Sequence, residues 1–124
     1  MSRTGIELCE DMMGAASAIF IYVELLDQAA FEADPVVQDA VMYRLMVVGE
    51  AAGDLLDRNQ VDIAMIDSGG RYVRLLKGFR RMRDLLIHHH WKVNLQIIWD
   101  TIREDLDMII EIVTTYDANK ESFR

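Results

Sequence analysis

Apolar residues return at three- and four-residue steps along almost the whole of this chain, and no segment alternates as a half-buried strand does. That period selects helices, each with one stripe to bury against its neighbours. The expected architecture is all-α, an antiparallel four-helix bundle with short connections. Its 124 residues suit one domain over 1–124 with a single core.

The first helix is expected from about Ile6 to Ala30, with Ile6, Cys9, Met13, Ala16, Phe20, Val23 and Leu26 on one face. Thr4 and Glu7 have capping-box spacing. Met12, Ile19, Ile21 and Tyr22 lie off that stripe, which implies cover on more than one side. Ala33-Asp34-Pro35 is the clearest break: Asp34 can cap the next helix, and Pro35 sits where a missing amide costs nothing. The second helix, about Pro35 to Leu56, faces Val37, Val41, Leu45, Val48, Ala52 and Leu55 inward. Met42, Met46 and Val47 widen its stripe beyond one core face, which points to a homodimer interface.

Asp57 to Gly70 is weakly patterned, with a short helical turn over Val61 to Ile66 and turn chemistry at Asp67-Ser68-Gly69-Gly70. The third helix starts near Arg71 and puts Tyr72, Leu75, Leu76, Phe79, Met82 and Leu86 on one face. Gly78 inside it costs about 1 kcal/mol against alanine; it marks either a close backbone approach or a tolerated glycine. Asn94 can cap the last helix, where Leu95, Ile98, Trp99, Ile102, Leu106, Ile109, Ile110 and Val113 recur. Asp100, Glu104, Asp105, Asp107 and Glu111 are read as its outside. Beyond Tyr116 the chain turns polar and is expected to fray.

The formal net charge of −8 argues against indiscriminate coating of nucleic acid. The charge is uneven, however. Between Arg71 and Lys92 seven basic residues oppose Asp84 alone, so this span carries +6 and the rest −14. The plain alternative for such a run is a solvated helix face. Cys9 is alone, so no internal disulfide forms and no thiolate cluster for zinc exists. The longest mainly apolar run, Met12 to Val23, is too short to span a bilayer, and no basic region leads into a cleavable apolar segment. A cytoplasmic setting without membrane attachment is expected.

Chemistry concentrates in Arg83-Asp84-Leu85-Leu86-Ile87-His88-His89-His90-Trp91, which holds every histidine of the chain. An arginine for phosphate oxygens and an imidazole that moves protons near neutral pH suit metal-free phosphodiester chemistry. On an unbroken helix Arg83 and His88 lie roughly 140° apart at about 100° per residue. They meet if the long arginine crosses part of that gap, if the helix unwinds before His88, or if two copies share a site. Asp84, one turn before His88, can fix its tautomer. Consecutive helical side chains diverge by about 100°, so His88, His89 and His90 cannot all ligate one ion while helical. No metal site is expected, and no cofactor is implied.

These residues resemble the HepT-like branch of the HEPN superfamily of four-helix proteins. Arg83 through His88 matches the branch's Arg-x4-His core, with Asp84 where Asn or Asp is common. Trp91-Lys92-Val93-Asn94-Leu95-Gln96-Ile97-Ile98-Trp99 is similar to its downstream aromatic-x-Val-Asp-Leu-x-x-x-Trp run. Gln38-Asp39-Ala40-Val41 and Val48-Gly49-Glu50-Ala51-Ala52 match its second helix. The resemblance covers about residues 5 to 115. It implies a homodimeric, metal-independent endoribonuclease, the toxin of a toxin–antitoxin pair, cleaving tRNA or mRNA. The implied partner is a minimal nucleotidyltransferase of the MntA type, with the pair able to build a larger hetero-oligomer.

Arg83 and His88 carry over as catalytic, with Asp84 and His90 supporting. Arg74, Lys77, Arg80, Arg81 and Lys92 form the basic stripe for RNA backbone. His90 stands where the branch has the tyrosine that its partner modifies with AMP, so silencing by that route lacks its phenol here. The competing reading is a non-enzymatic helical dimer that binds and assists the nucleotidyltransferase.

Overall fold

The computed structural model describes residues 3–123; residues 1, 2 and 124 of the expected domain lie outside the described residues. Every regular element among the described residues is helical. Helix α1 (Gly5–Val23) starts on the anticipated capping box. The Thr4 hydroxyl accepts from the Glu7 amide, and the Glu7 carboxylate accepts from the Thr4 amide, each at 3.1 Å.

It ends well before Ala30, correcting the sequence expectation. The Leu26 amide turns back to the Val23 carbonyl, and the Asp27 carboxylate, accepting from the Ala30 amide at 2.8 Å, caps a new helix, α2 (Gln28–Glu32). The break lets Phe31 bury completely, its ring 5.4 Å from that of Trp99. The inward face of α1 is also rotated from the expected stripe. Leu8, Met12, Ala15 and Ile19 are buried with Cys9 and Ala16, whereas Ile6 is 41% exposed.

Helix α3 (Pro35–Arg58) begins as expected, with the Asp34 carboxylate accepting from the Val37 amide. The Gln38 side chain donates to the Phe31 and Glu32 carbonyls, satisfying the carboxyl end of α2. Val41, Leu45, Val48, Ala52 and Leu55 are buried; Val37 is half-buried. The weakly patterned stretch forms a short α4 (Gln60–Ile66), which inserts Ile63 into the core.

Gly69 and Gly70 come next at φ +74° and +77°, a left-handed turn that glycine adopts without strain. The Asp67 carboxylate then accepts from the Tyr72 and Val73 amides and holds the start of α5 (Arg71–His88). A 3-10 turn over His90–Lys92 leads to Asn94, whose side chain caps α6 (Leu95–Asp100) as expected.

The last helix is not uniform. A π turn over Thr101–Asp105 separates α6 from α7 (Leu106–Ala118), marked by the Leu106 amide bonding the Thr101 carbonyl five residues back. The tail does not simply fray among the described residues. It forms a 3-10 turn, Lys120–Phe123, that lays Phe123 on the Tyr116 ring at 4.6 Å. Helix α3 lies at the centre, packed on α5 and α1, and α1 packs further on α7. No helix among the described residues is long and apolar enough to cross a membrane.

Candidate active site

Helix α5 divides its circumference three ways. Tyr72, Leu76, Phe79 and Leu86 are buried, and Leu75 and Met82 are half-buried beside them. Arg74, Arg81 and His88 recur at seven-residue steps on the outer face, with Lys77 next to them, all exposed. Arg80 and Arg83 occupy the flank turned towards α3.

That flank is close to α3 because of Gly49 and Gly53, one turn apart. A Cβ on Gly49 would stand 2.5 Å from the Phe79 carbonyl oxygen and closer still to Arg83 Cβ; one on Gly53 would stand 2.9 Å from Arg80 Cδ. The two glycines therefore seat both arginine stems against the α3 backbone. The Arg83 side chain is only 33% exposed, and its Nε is buried without a hydrogen-bond partner. An orphaned donor of this kind costs about 1–3 kcal/mol.

The rest of the guanidinium is directed: Nη1 donates to the Asp84 carboxylate at 3.0 Å. Asp84 in turn lines an open hollow of about 410 Å³ with Arg81, Leu85, His88 and His89. Asp84 thus stands between the arginine and the imidazole around the helix circumference, and the long Arg83 side chain crosses part of the gap to reach it. The alternative in which the helix unwinds before His88 is corrected. The helical bonds continue to the His89 amide, which reaches the Leu85 carbonyl at 2.9 Å, and only His89 departs, at φ −138° and ψ 41°.

His88 therefore ends the helix with its side chain in solvent. His89 and His90 are also exposed and meet the Trp91 ring edge-on, at centroid distances of 5.3 and 5.5 Å. Trp91 itself is 66% exposed.

The basic residues have different fates. Lys77, Arg81 and Lys92 are exposed and make no ion pair among the described residues, and Arg74 donates only to the Gly69 carbonyl, at 3.0 Å. Arg80 is held by Asp57 at 2.9 Å, in a groove that Glu50 and Asp54 make acidic, and Arg71 pairs with Glu111. The free cations therefore run along the outer face of α5 towards His88. A second groove, about 380 Å³ between α1 and α7, contains Cys9, whose thiol burial pushes up to about 12. A thiol held protonated in this way is no nucleophile.

Two features escaped sequence reasoning. Gly49 and Gly53 share a face of α3, a spacing that signals a close helix approach, although the partner is invisible in sequence. Asp105 is not on the outside of the last helix but half-buried, and burial raises its pKa. Its position three residues after Ile102 and four before Ile109, on the apolar stripe itself, was the available signal.

Comparison with known proteins bears on the same stretch. The family model "Ribonuclease HepT-like" matches residues 12–116. A Methanocaldococcus jannaschii protein designated an RNase is 33% identical over 97 residues, covering 74% of this chain and 73% of its own length. A Thermococcus cleftensis protein designated a ribonuclease HepT is 29% identical over 112 residues, 86% of this chain and 89% of its own. A second M. jannaschii protein, designated a gamma-glutamylcyclotransferase and RNase, is 29% identical over 90 residues. The match covers 68% of this chain but only 36% of that protein. No solved structure matches.

Proposed function

The chain belongs to the HepT-like ribonuclease family of the HEPN superfamily, and we propose that it is a metal-independent endoribonuclease acting through Arg83 and His88. The observation that carries the reading is Asp84, bonded to Arg83 and lining the hollow that holds His88, at the end of an exposed cationic stripe. An RNA backbone laid along Arg74, Lys77 and Arg81 is led to His88 by charge, with Lys92 beyond it and Arg80 joining by exchanging Asp57 for phosphate. The His88 imidazole takes the ribose 2′-hydroxyl proton as that oxygen attacks phosphorus; the bond from phosphorus to the 5′-oxygen breaks, and that oxygen takes a proton from water. Arg83 stabilises the charge on the phosphorane. The product carries a 2′,3′-cyclic phosphate, and tRNA or mRNA is the substrate.

In the same reading the helices form an antiparallel four-helix bundle that pairs as a homodimer. A second copy shortens the circumferential separation of Arg83 from an imidazole. The protein acts in the cytoplasm as the toxin of a pair whose antitoxin is an MntA-like nucleotidyltransferase. His90, beside Trp91, supports the site in place of the branch's tyrosine, so the partner silences it by binding or by modifying another residue.

Incubation of the purified protein with tRNA and mRNA in chelator, alongside Arg83→Ala and His88→Ala, tests the reading. Cyclic-phosphate ends from the parent protein and none from either variant are expected. Equal cleavage by all three proteins defeats it.

A further inference from the structure

The face of α5 away from α3 borders a second hollow that this mechanism leaves unused. It measures about 180 Å³ and is lined by Arg74, Leu75, Gly78, Phe79 and Met82 from α5 and by Thr101 and Asp105 from the π turn. Its floor is open because Gly78 has no side chain. Only Arg81 Nη2, at 3.8 Å, comes near where a Cβ would stand, so no helix approaches there. No helix packs on Gly78, and the residue lines this wall.

The Asp105 side chain makes no hydrogen bond or ion pair among the described residues, although Arg74 lines the same hollow. A half-buried carboxylate left without a partner opposes folding. The extra residue of a π turn rotates the side chains beyond it, and such turns recur at functional sites. Thr101 does not supply the missing partner, since its hydroxyl donates to the Ile97 carbonyl at 2.8 Å. The hollow therefore offers two free carboxylate oxygens, apolar walls and a cation at its rim.

Resting on the ribonuclease reading, we infer that this hollow is a base-specificity subsite in which Asp105 takes a guanine of single-stranded RNA. The volume is below the ~300–1,000 Å³ of sites for drug-sized ligands and suits one planar ring system. Single-stranded RNA is read by splaying a base out and bonding its Watson–Crick edge. Guanine presents two adjacent N–H donors on that edge, N1 and the 2-amino group, which a carboxylate can accept side by side. Adenine and cytosine present one amino group, and uracil one imino group. Arg74 at the rim, and Arg81 beyond it on the same stripe that runs to His88, would hold the flanking phosphates. The walls from Leu75 and Met82 meet the ring faces.

The test separates binding from cleavage. Fluorescence anisotropy is measured with labelled hexauridylate and with hexamers carrying one central guanine, inosine or adenine. The proteins are His88→Ala and the double variant that adds Asp105→Asn. The guanine hexamer should bind about 5- to 150-fold tighter than hexauridylate, the range of one bidentate base contact, and inosine, which lacks the 2-amino group, should lose most of that gain. Asparagine replaces one accepting oxygen with a donor, so it no longer matches the paired N1 and 2-amino donors, and Asp105→Asn should remove most of the guanine advantage over hexauridylate without lowering the melting temperature. Equal binding of all four hexamers, or a guanine preference unchanged by Asp105→Asn, overturns the inference. Cleavage without any Asp105-dependent base preference removes this inference alone. Guanine-selective binding by a protein that never cleaves removes the catalytic reading and leaves the subsite.

Discussion

Replacing Gly49 with alanine tests the link between helix packing and the placement of Arg83. Two terms oppose each other. Alanine gains about 1 kcal/mol over glycine inside a helix. Against that, the new Cβ meets the Phe79 carbonyl at 2.5 Å and the root of the Arg83 side chain. Neither neighbour is the flexible end of a side chain, so α5 itself must move, at about 1–3 kcal/mol for an overpacked contact. The net effect ranges from about zero to a loss of about 2 kcal/mol.

Gly14, in α1, has nothing within 4 Å of its missing Cβ, so Gly14→Ala receives the helical gain alone. The two variants should differ by about 1–3 kcal/mol, on the order of 4–12 °C in melting temperature for a domain of this size. Thermal unfolding at one protein concentration, checked by urea titration, measures the difference. Displacing α5 also displaces Arg83, and a shift of about 1 Å can cost on the order of 10²-fold in rate. Single-turnover RNA cleavage by Gly49→Ala should therefore fall further than its folded fraction accounts for. If Gly49→Ala melts with Gly14→Ala and cleaves like the parent, close approach at Gly49 does not set the arginine, and the reasoning fails.

Asp57→Ala frees Arg80 from its exposed pair, so stability should change by no more than about 1 kcal/mol while RNA affinity rises and its salt dependence steepens; an unchanged salt slope counts against Arg80 as a backbone contact. The Thr4 amide and hydroxyl hold the Glu7 carboxyl below its ordinary value of 4.5, so the capping box contributes fully above 4.5 and its contribution is lost as pH falls through the lower folded value. Asp105 has the opposite sign: burial raises its pKa from 3.8, and its relative stabilisation is full below 3.8 and lost as pH rises through the folded value. Acid unfolding of Glu7→Gln and Asp105→Asn should thus change slope in opposite directions, and parallel curves would contradict both assignments. Cys9, with its thiol pushed up to about 12 and its side chain buried, should react with a maleimide at pH 7 only at the rate of opening; prompt labelling of the folded protein would show that the α1–α7 groove is open.

Much of this protein is written locally. The three- and four-residue period selects helices because one turn of helix brings those positions to one face. The starts at Thr4, Asp34 and Asn94 were legible because a cap needs only a side-chain oxygen two or three residues before its amide. The angle between Arg83 and His88 was also legible, since it depends on helix geometry alone, as was the cationic face of α5.

Tertiary packing decided the rest. Helix α1 gives way after Val23, where a separate turn lets Phe31 reach Trp99, more than sixty residues away. Gly49 acquires its meaning from Arg83 and Phe79, Arg80 is held away from the free cations by Asp57, and the helix that carries Asp105 is interrupted by a π turn that no local signal marks. Periodicity tells which side of a helix is buried, but not which neighbour buries it or how closely that neighbour comes. Those depend on side chains distant in sequence meeting at a few tenths of an ångström, and a close-packed core fixes them only when all the helices are in place.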